Sequence, residues 1–206
     1  MIRIIFLFLF ITGSVSAQTS NPPKSPSLLL EESKKINWDE AVSESVTIEA
    51  PVAETWAYAS NSLEAINWSV YFDHISPLPG PVADGQVGSL RRCFRNKDES
   101  GYAWDEVIIN VEPLKLRQIV TYNFINYPFS VIHDGQYVFV RQIYEDLGEG
   151  RSRLTFQTTT HKGNNPFFKF IFWISRKETG DIFQKNLMNI KAAIEKTPRV
   201  FPWVAG

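Results

Sequence analysis

The sequence predicts an α+β domain: a curved seven-stranded antiparallel sheet, with two short helices, wrapped around one long C-terminal helix. Three observations carry that expectation. In ESVTIEAPVAETWAYAS (44–60) the apolar period changes from two to helical spacing at Ala50-Pro51. Six further strand-like runs follow, separated by turn residues and short connections, which favours an antiparallel meander. The chain then closes with a long apolar stripe at helical spacing, from about 166 to 196.

The elements follow in order. Val46, Ile48 and Ala50 alternate with polar residues in a first strand over 42–50. Pro51 suits a first helical turn, and Val52, Ala53, Trp56 and Ala57 share a face of a helix over 52–59. A second helical pattern, SLEAINWSVYF, covers 62–72. Strands are then expected over 73–78, 85–95, 102–111, 116–125, 130–144 and 153–160. Asn165 and Pro166 read as N-cap and first residue of the last helix, and Gly180 as a bend within it. Thirty such residues make a rod of roughly 45 Å. A curved sheet covered by a straight rod leaves space between the two, and that is where a ligand cavity forms. The first strand therefore leaves the sheet abruptly so that the two short helices can close the open end of the groove.

Residues 1–17 read as a secretory signal peptide: Arg3, an apolar run from Ile4 to Ile11, and small residues ending at Ala17. The expected location is secreted or periplasmic, and the run is short for a membrane span. Residues 18–38, rich in Pro, Ser and Lys, read as a linker, and 39–200 as one ligand-binding domain. Of the 21 basic residues only Arg3 lies in the leader, so the rest of the chain carries 20 basic against 22 acidic side chains. That balance gives no reason to expect nucleic acid as a partner. The single cysteine, Cys93, cannot form an internal bridge and reads as a small buried hydrophobe.

The corner VTIEAPVAETWAYASN (46–61), then INWSVYF (66–72), DGQVGSLRRC (84–93), WDEVI (104–108) and DIFQKNLMNIKAAIE (181–195) carry a resemblance through their order and spacing. Together they resemble the Bet v 1/START-like (SRPBCC) helix-grip superfamily, and within it the polyketide cyclase/dehydrase-like proteins. The resemblance spans 42–196. It implies a seven-stranded sheet gripping the C-terminal helix, often around a hydrophobic ligand, with Arg91 and Glu106 facing the cavity. Many relatives are cytosolic, whereas this leader reads as an export signal. Fold alone does not settle the chemistry.

Strand alternation puts Arg91, Cys93 and Arg95 on one face and Leu90, Arg92 and Phe94 on the other. A register slip of one residue near Gly88 would exchange Arg91 for Arg92. Arg91 and Glu106, on adjacent strands, are candidate polar anchors for a ligand head; the plainer reading is a cross-strand ion pair. Trp56, Trp68, Phe72, Trp104 and Tyr122 are candidate walls of an apolar cavity. An enzymatic alternative keeps the same pair, with Glu106 as acid/base and Arg91 orienting an enolate or carboxylate, although a nearby arginine lowers a carboxyl pKa rather than raising it.

His74, His133 and His161 are isolated, and no metal-ligand spacing, nucleophile elbow or nucleotide-binding loop accompanies them, so no metal or cofactor is expected. NPFFKFIFWI (165–174) is a candidate membrane-contact face, although packing on the sheet explains it as well. The expected partner is a small hydrophobic molecule, bound by a monomer.

Overall fold

The computed structural model describes residues 24–126, 137–160 and 166–196, with side chains from 174 onward in the last helix. Residues 1–23, His133, His161, Asn165, the end of the expected domain at 197–200 and the side chains of Phe167, Phe170 and Trp173 lie outside the described residues.

Strands β1 (Val42–Ile48), β2 (His74–Pro77), β3 (Leu90–Phe94), β4 (Ala103–Glu112), β5 (Leu116–Ile125), β6 (Val138–Gly148) and β7 (Arg151–Thr160) form one sheet. Its order is β1-β7-β6-β5-β4-β3-β2, and every pairing is antiparallel. The helices are α1 (Pro26–Lys34), α2 (Val52–Ala59), α3 (Ser62–Trp68) and α4 (Pro166–Ile194). β1 and β2 are consecutive in the chain but lie at opposite edges. The α2–α3 corner therefore has to carry the chain across the sheet, which accounts for the abrupt change of period at Pro51.

The sheet has two buried faces. The inner face packs Trp68, Phe72, Cys93, Trp104, Tyr144, Leu154 and Phe156 against Leu187, Ile190 and Ile194 of α4. On the outer face Val107, Ile109, Val120, Tyr122 and Phe139 pack beneath Leu29 of α1. Register shifts in the β4–β5 pair, between Ala103 and Asp105 and between Ile108 and Asn110, bend the sheet.

Several features differ from expectation. The segment read as a linker contains α1, because Ser25 accepts from Leu28 N as an N-cap, Pro26 opens the helix and Leu29 is fully buried. Helix α3 stops at Trp68 rather than at 72, since the Ser69 hydroxyl accepts from the amides of Tyr71 and Phe72 and turns the chain. β3 begins at Leu90, because Gly88 sits at φ +94° and only its amide pairs with β4, through Ile108 O. Gly180 lies inside the unbroken α4, where a Cβ would stand 3.1 Å from Glu44 Oε1. That glycine lets α4 close on β1.

α4 also caps the edge of the sheet along β1. Arg176 donates to the carbonyls of Glu40 and Ala41, Lys191 Nζ donates to Thr47 O at 2.7 Å, and Glu195 accepts from Glu49 N at 2.7 Å.

Candidate functional site

The inner face is apolar and aromatic except for one charged cluster. β3 pairs with β4 so that Arg91 stands opposite Glu106 and Arg92 opposite Asp105. This register turns Arg91 inward and Arg92 outward. Arg91 grips Glu106 with two nitrogens, Nε at 2.8 Å and Nη2 at 2.6 Å, both to Oε2. The other carboxylate oxygen accepts from Trp104 Nε1 at 3.0 Å. Arg91 Nη1 donates to Ser62 Oγ at 2.7 Å, tying the pair to the start of α3. The side chains are 7% and 11% exposed, so this is a desolvated ion pair and not a surface one.

Burial alone would raise the Glu106 pKa, but the adjoining Arg91 charge and the hydrogen bonds from Trp104 and Arg91 hold it below the ordinary carboxyl value. Glu106 is therefore a fixed anion near neutral pH. Arg91 remains a cation: burial opposes its charge, and the Glu106 carboxylate more than restores it.

A second arginine joins them. Arg117 of β5 is 3% exposed, and its Nη1 donates to Ser60 O, the C-cap carbonyl of α2, at 3.0 Å. Its Nη2 is buried without a hydrogen-bond partner among the described residues. Burial and the repulsion of Arg91 lower its pKa to about 10. Trp68 Nε1 and Asn189 Oδ1, also buried, likewise have no partner among the described residues. Asn189 Nδ2 meanwhile donates to Trp68 O at 3.2 Å.

The expected walls divide. Trp56, Trp68, Phe72 and Trp104 all join the inner cluster. They touch it ring to ring: Trp56 lies 4.7 Å from Tyr144, Phe72 5.8 Å from Trp104, and Trp68 5.8 Å from Phe156. Tyr122 does not belong with them. It lies opposite Asp105 on the outer face, in the cluster covered by α1 and 6.5 Å from Tyr137. Its expected place as an inner wall is corrected by that register.

Arg117, Tyr144 and Asn189 are inner residues that the sequence reading passed over. Strand parity with Ile119 and Thr121, which stand opposite Ile108 and Glu106, places Arg117 on the inner face.

Two other arrangements lack the geometry for chemistry. His74 Nε2 lies 2.9 Å from Ser76 Oγ and 3.3 Å from Glu99 Oε1, so both partners meet the same ring nitrogen and no relay through the imidazole exists. The Cys93 thiol is fully buried, and burial beside the Glu106 carboxylate pushes its pKa well up, which leaves it unreactive. Among the described residues no group of three His, Cys, Asp or Glu side chains is placed to hold a metal ion.

A surface groove of about 330 Å³ lies among the ends of α2, α3 and α4, lined by Glu54, Tyr58, Asn61, Glu64, Ile194 and Lys196. It is open, and Asn61 in its lining lies between Ser60 and Ser62, which accept from Arg117 and Arg91.

No family model matches the chain, and no curated protein matches it in sequence. Solved structures do match its fold. DynU16, from the dynemicin biosynthetic locus, superposes with a TM-score of 0.55 at 17% identity over 81% of this chain; the chain spans about half of that protein (51%). Ara h 8.0201 matches with a TM-score of 0.55 at 15% identity, over 77% of this chain and 99% of its own. A START superfamily protein from Mycobacterium smegmatis matches with a TM-score of 0.54 at 12% identity, over 76% of this chain and 97% of its own. At these identities the likeness is one of fold: a Bet v 1/START-like helix-grip sheet closed by its last helix.

Proposed function

We propose that this chain binds a small, mostly apolar molecule between the inner face of the sheet and α4, in a secreted or periplasmic setting. The observation that carries the reading is the set of buried polar atoms with no partner among the described residues, Arg117 Nη2, Trp68 Nε1 and Asn189 Oδ1, set in an aromatic core. Each such atom costs about 1–3 kcal/mol when left unpaired. A ligand that is apolar over most of its surface and polar at a few points offsets that cost, which is how small-molecule sites are commonly built. The fold supports the reading in kind, since the START superfamily protein and Ara h 8.0201 share it.

Proton transfer has weaker support. A carboxylate held low by Arg91 and Trp104 is a poor acid near neutral pH and a weak base. We therefore favour binding over the cyclase or dehydratase alternative.

The test is native mass spectrometry of the protein purified from its own compartment, followed by solvent extraction. A co-purifying apolar molecule, lost in Trp104→Ala, is the expected result. A protein that carries none, and that also leaves a panel of apolar fluorescent probes unbound, overturns the proposal.

A further inference from the structure

Beneath the α2–α3 corner three charges share one desolvated volume, two positive and one negative. Arg91 and Glu106 satisfy one another through three atoms. Arg117 is then surplus: it is 3% exposed, is repelled by Arg91, and has one terminal nitrogen bonded to a neutral carbonyl and the other to nothing among the described residues. Glu106 attracts it, and Tyr144 and the loop residue Asp84 do so as well, but Tyr144 keeps its proton because burial drives its pKa up. A buried cation without its own anion is among the costliest features a fold can keep.

We infer that the ligand carries a carboxylate or similar anionic head, which Arg117 takes through its free Nη2 while Arg91 stands beside it. The inference rests on the binding function proposed above and adds the class of molecule: an apolar body ending in an acid. A guanidinium offers parallel donors to such a head, and burial strengthens the bond. The charge count then closes at two positive and two negative. Arg117 Nη2 is shut off from solvent, so the head reaches it as the corner parts from the sheet. Two of the bonds that hold the corner there are those of the same two arginines, to Ser60 O and Ser62 Oγ, beside the Thr55–Ser152 hydroxyl pair. Ligand head and corner thus meet on one guanidinium, the head at Nη2 and Ser60 O at Nη1.

The experiment uses matched probes on two skeletons: dodecanoic acid against dodecan-1-ol, and 2-naphthoic acid against 2-naphthalenemethanol. Affinities are read at neutral pH by displacement of a bound fluorescent probe, for the intact protein and for Arg117→Gln and Arg117→Lys. The expected result is that an acid outbinds its alcohol by about ten-fold or more, the worth of a charge-assisted hydrogen bond. Arg117→Gln removes that preference by weakening the acid alone, and Arg117→Lys keeps part of it. Equal binding of acid and alcohol by the unaltered protein overturns this inference while leaving the binding function standing. That comparison needs no variant to fold. Binding of neither member of either pair, nor of the fluorescent probe, overturns both.

Discussion

Two arginine–carboxylate pairs sit one residue apart on the same two strands and differ in nearly every respect. Arg92–Asp105 faces outward, with Arg92 28% exposed; it closes with two parallel bonds of 2.6 and 3.0 Å, and Asn123 donates a further bond to Asp105 at 2.6 Å. It is a complete unit. Arg91–Glu106 faces inward, is shielded from water, and has Arg117 left over beside it. A one-residue step along a strand thus separates an ion pair that is complete from one that leaves a buried cation beside it. Incompleteness, rather than the presence of charge, is what singles out the inner face as the candidate site.

The sharpest way to break the comparison is to remove the inner carboxylate. Glu106→Gln leaves Arg91 and Arg117 facing one another without an anion and is expected to cost about 3–5 kcal/mol in urea denaturation. Replacing both partners, with Arg91→Met and Glu106→Leu together, is expected to cost much less than either single change, because Arg117 is then relieved of Arg91. A double variant as unstable as the single ones would show that the pair itself holds the fold.

Acid provides the next test. The folded Glu106 binds its proton less readily than the unfolded one, so its stabilisation is complete above the ordinary carboxyl pKa of 4.5 and is lost as pH falls through the lower folded value. The urea midpoint of the unaltered protein should fall over that range, and that of Glu106→Gln should fall less steeply. Parallel slopes would assign the acid sensitivity to other carboxylates.

Arg92→Ala is expected to cost less, about 1–3 kcal/mol, because Asp105, although only 4% exposed, keeps its bond from Asn123 and gains water through the space left open. The smallest effect should come from salt: raising ionic strength from 0.1 to 1 M should weaken the outer pair slightly and leave the inner one unmoved, as read by double-mutant cycles.

Much of this was legible in the chain. The turn residues and periods placed all seven strands and α4; alternation on β3 put Arg91 and Arg92 on opposite faces, and the family resemblance chose Arg91 as the inward one. The errors about the two faces of the sheet have one physical source. Pro, Ser and Lys obscured α1, although Ser25 and Pro26 are sound helix-start signals. With α1 in place the outer face is a second core, so β5 is buried on both sides from Arg117 to Tyr122. Hydrophobicity then no longer tells the faces apart. Tyr122 looked inward for its aromatic ring and faces outward, while Arg117, passed over in the sequence, faces inward. Only the pairing of Glu106 with Thr121 settles the parity, and that is a long-range fact.

The side-chain bonds from α4 to β1 have a further consequence. An edge strand offers its free carbonyls and amides to any other strand that arrives, and in α+β chains this is a common route to self-association. Here Arg176, Lys191 and Glu195 occupy such groups with one helix. That helix is synthesised after every strand of the sheet. Until it docks, β1 is a docking template for a second copy, so a chain cut before residue 166 should aggregate through its edge even though every strand of the sheet is present.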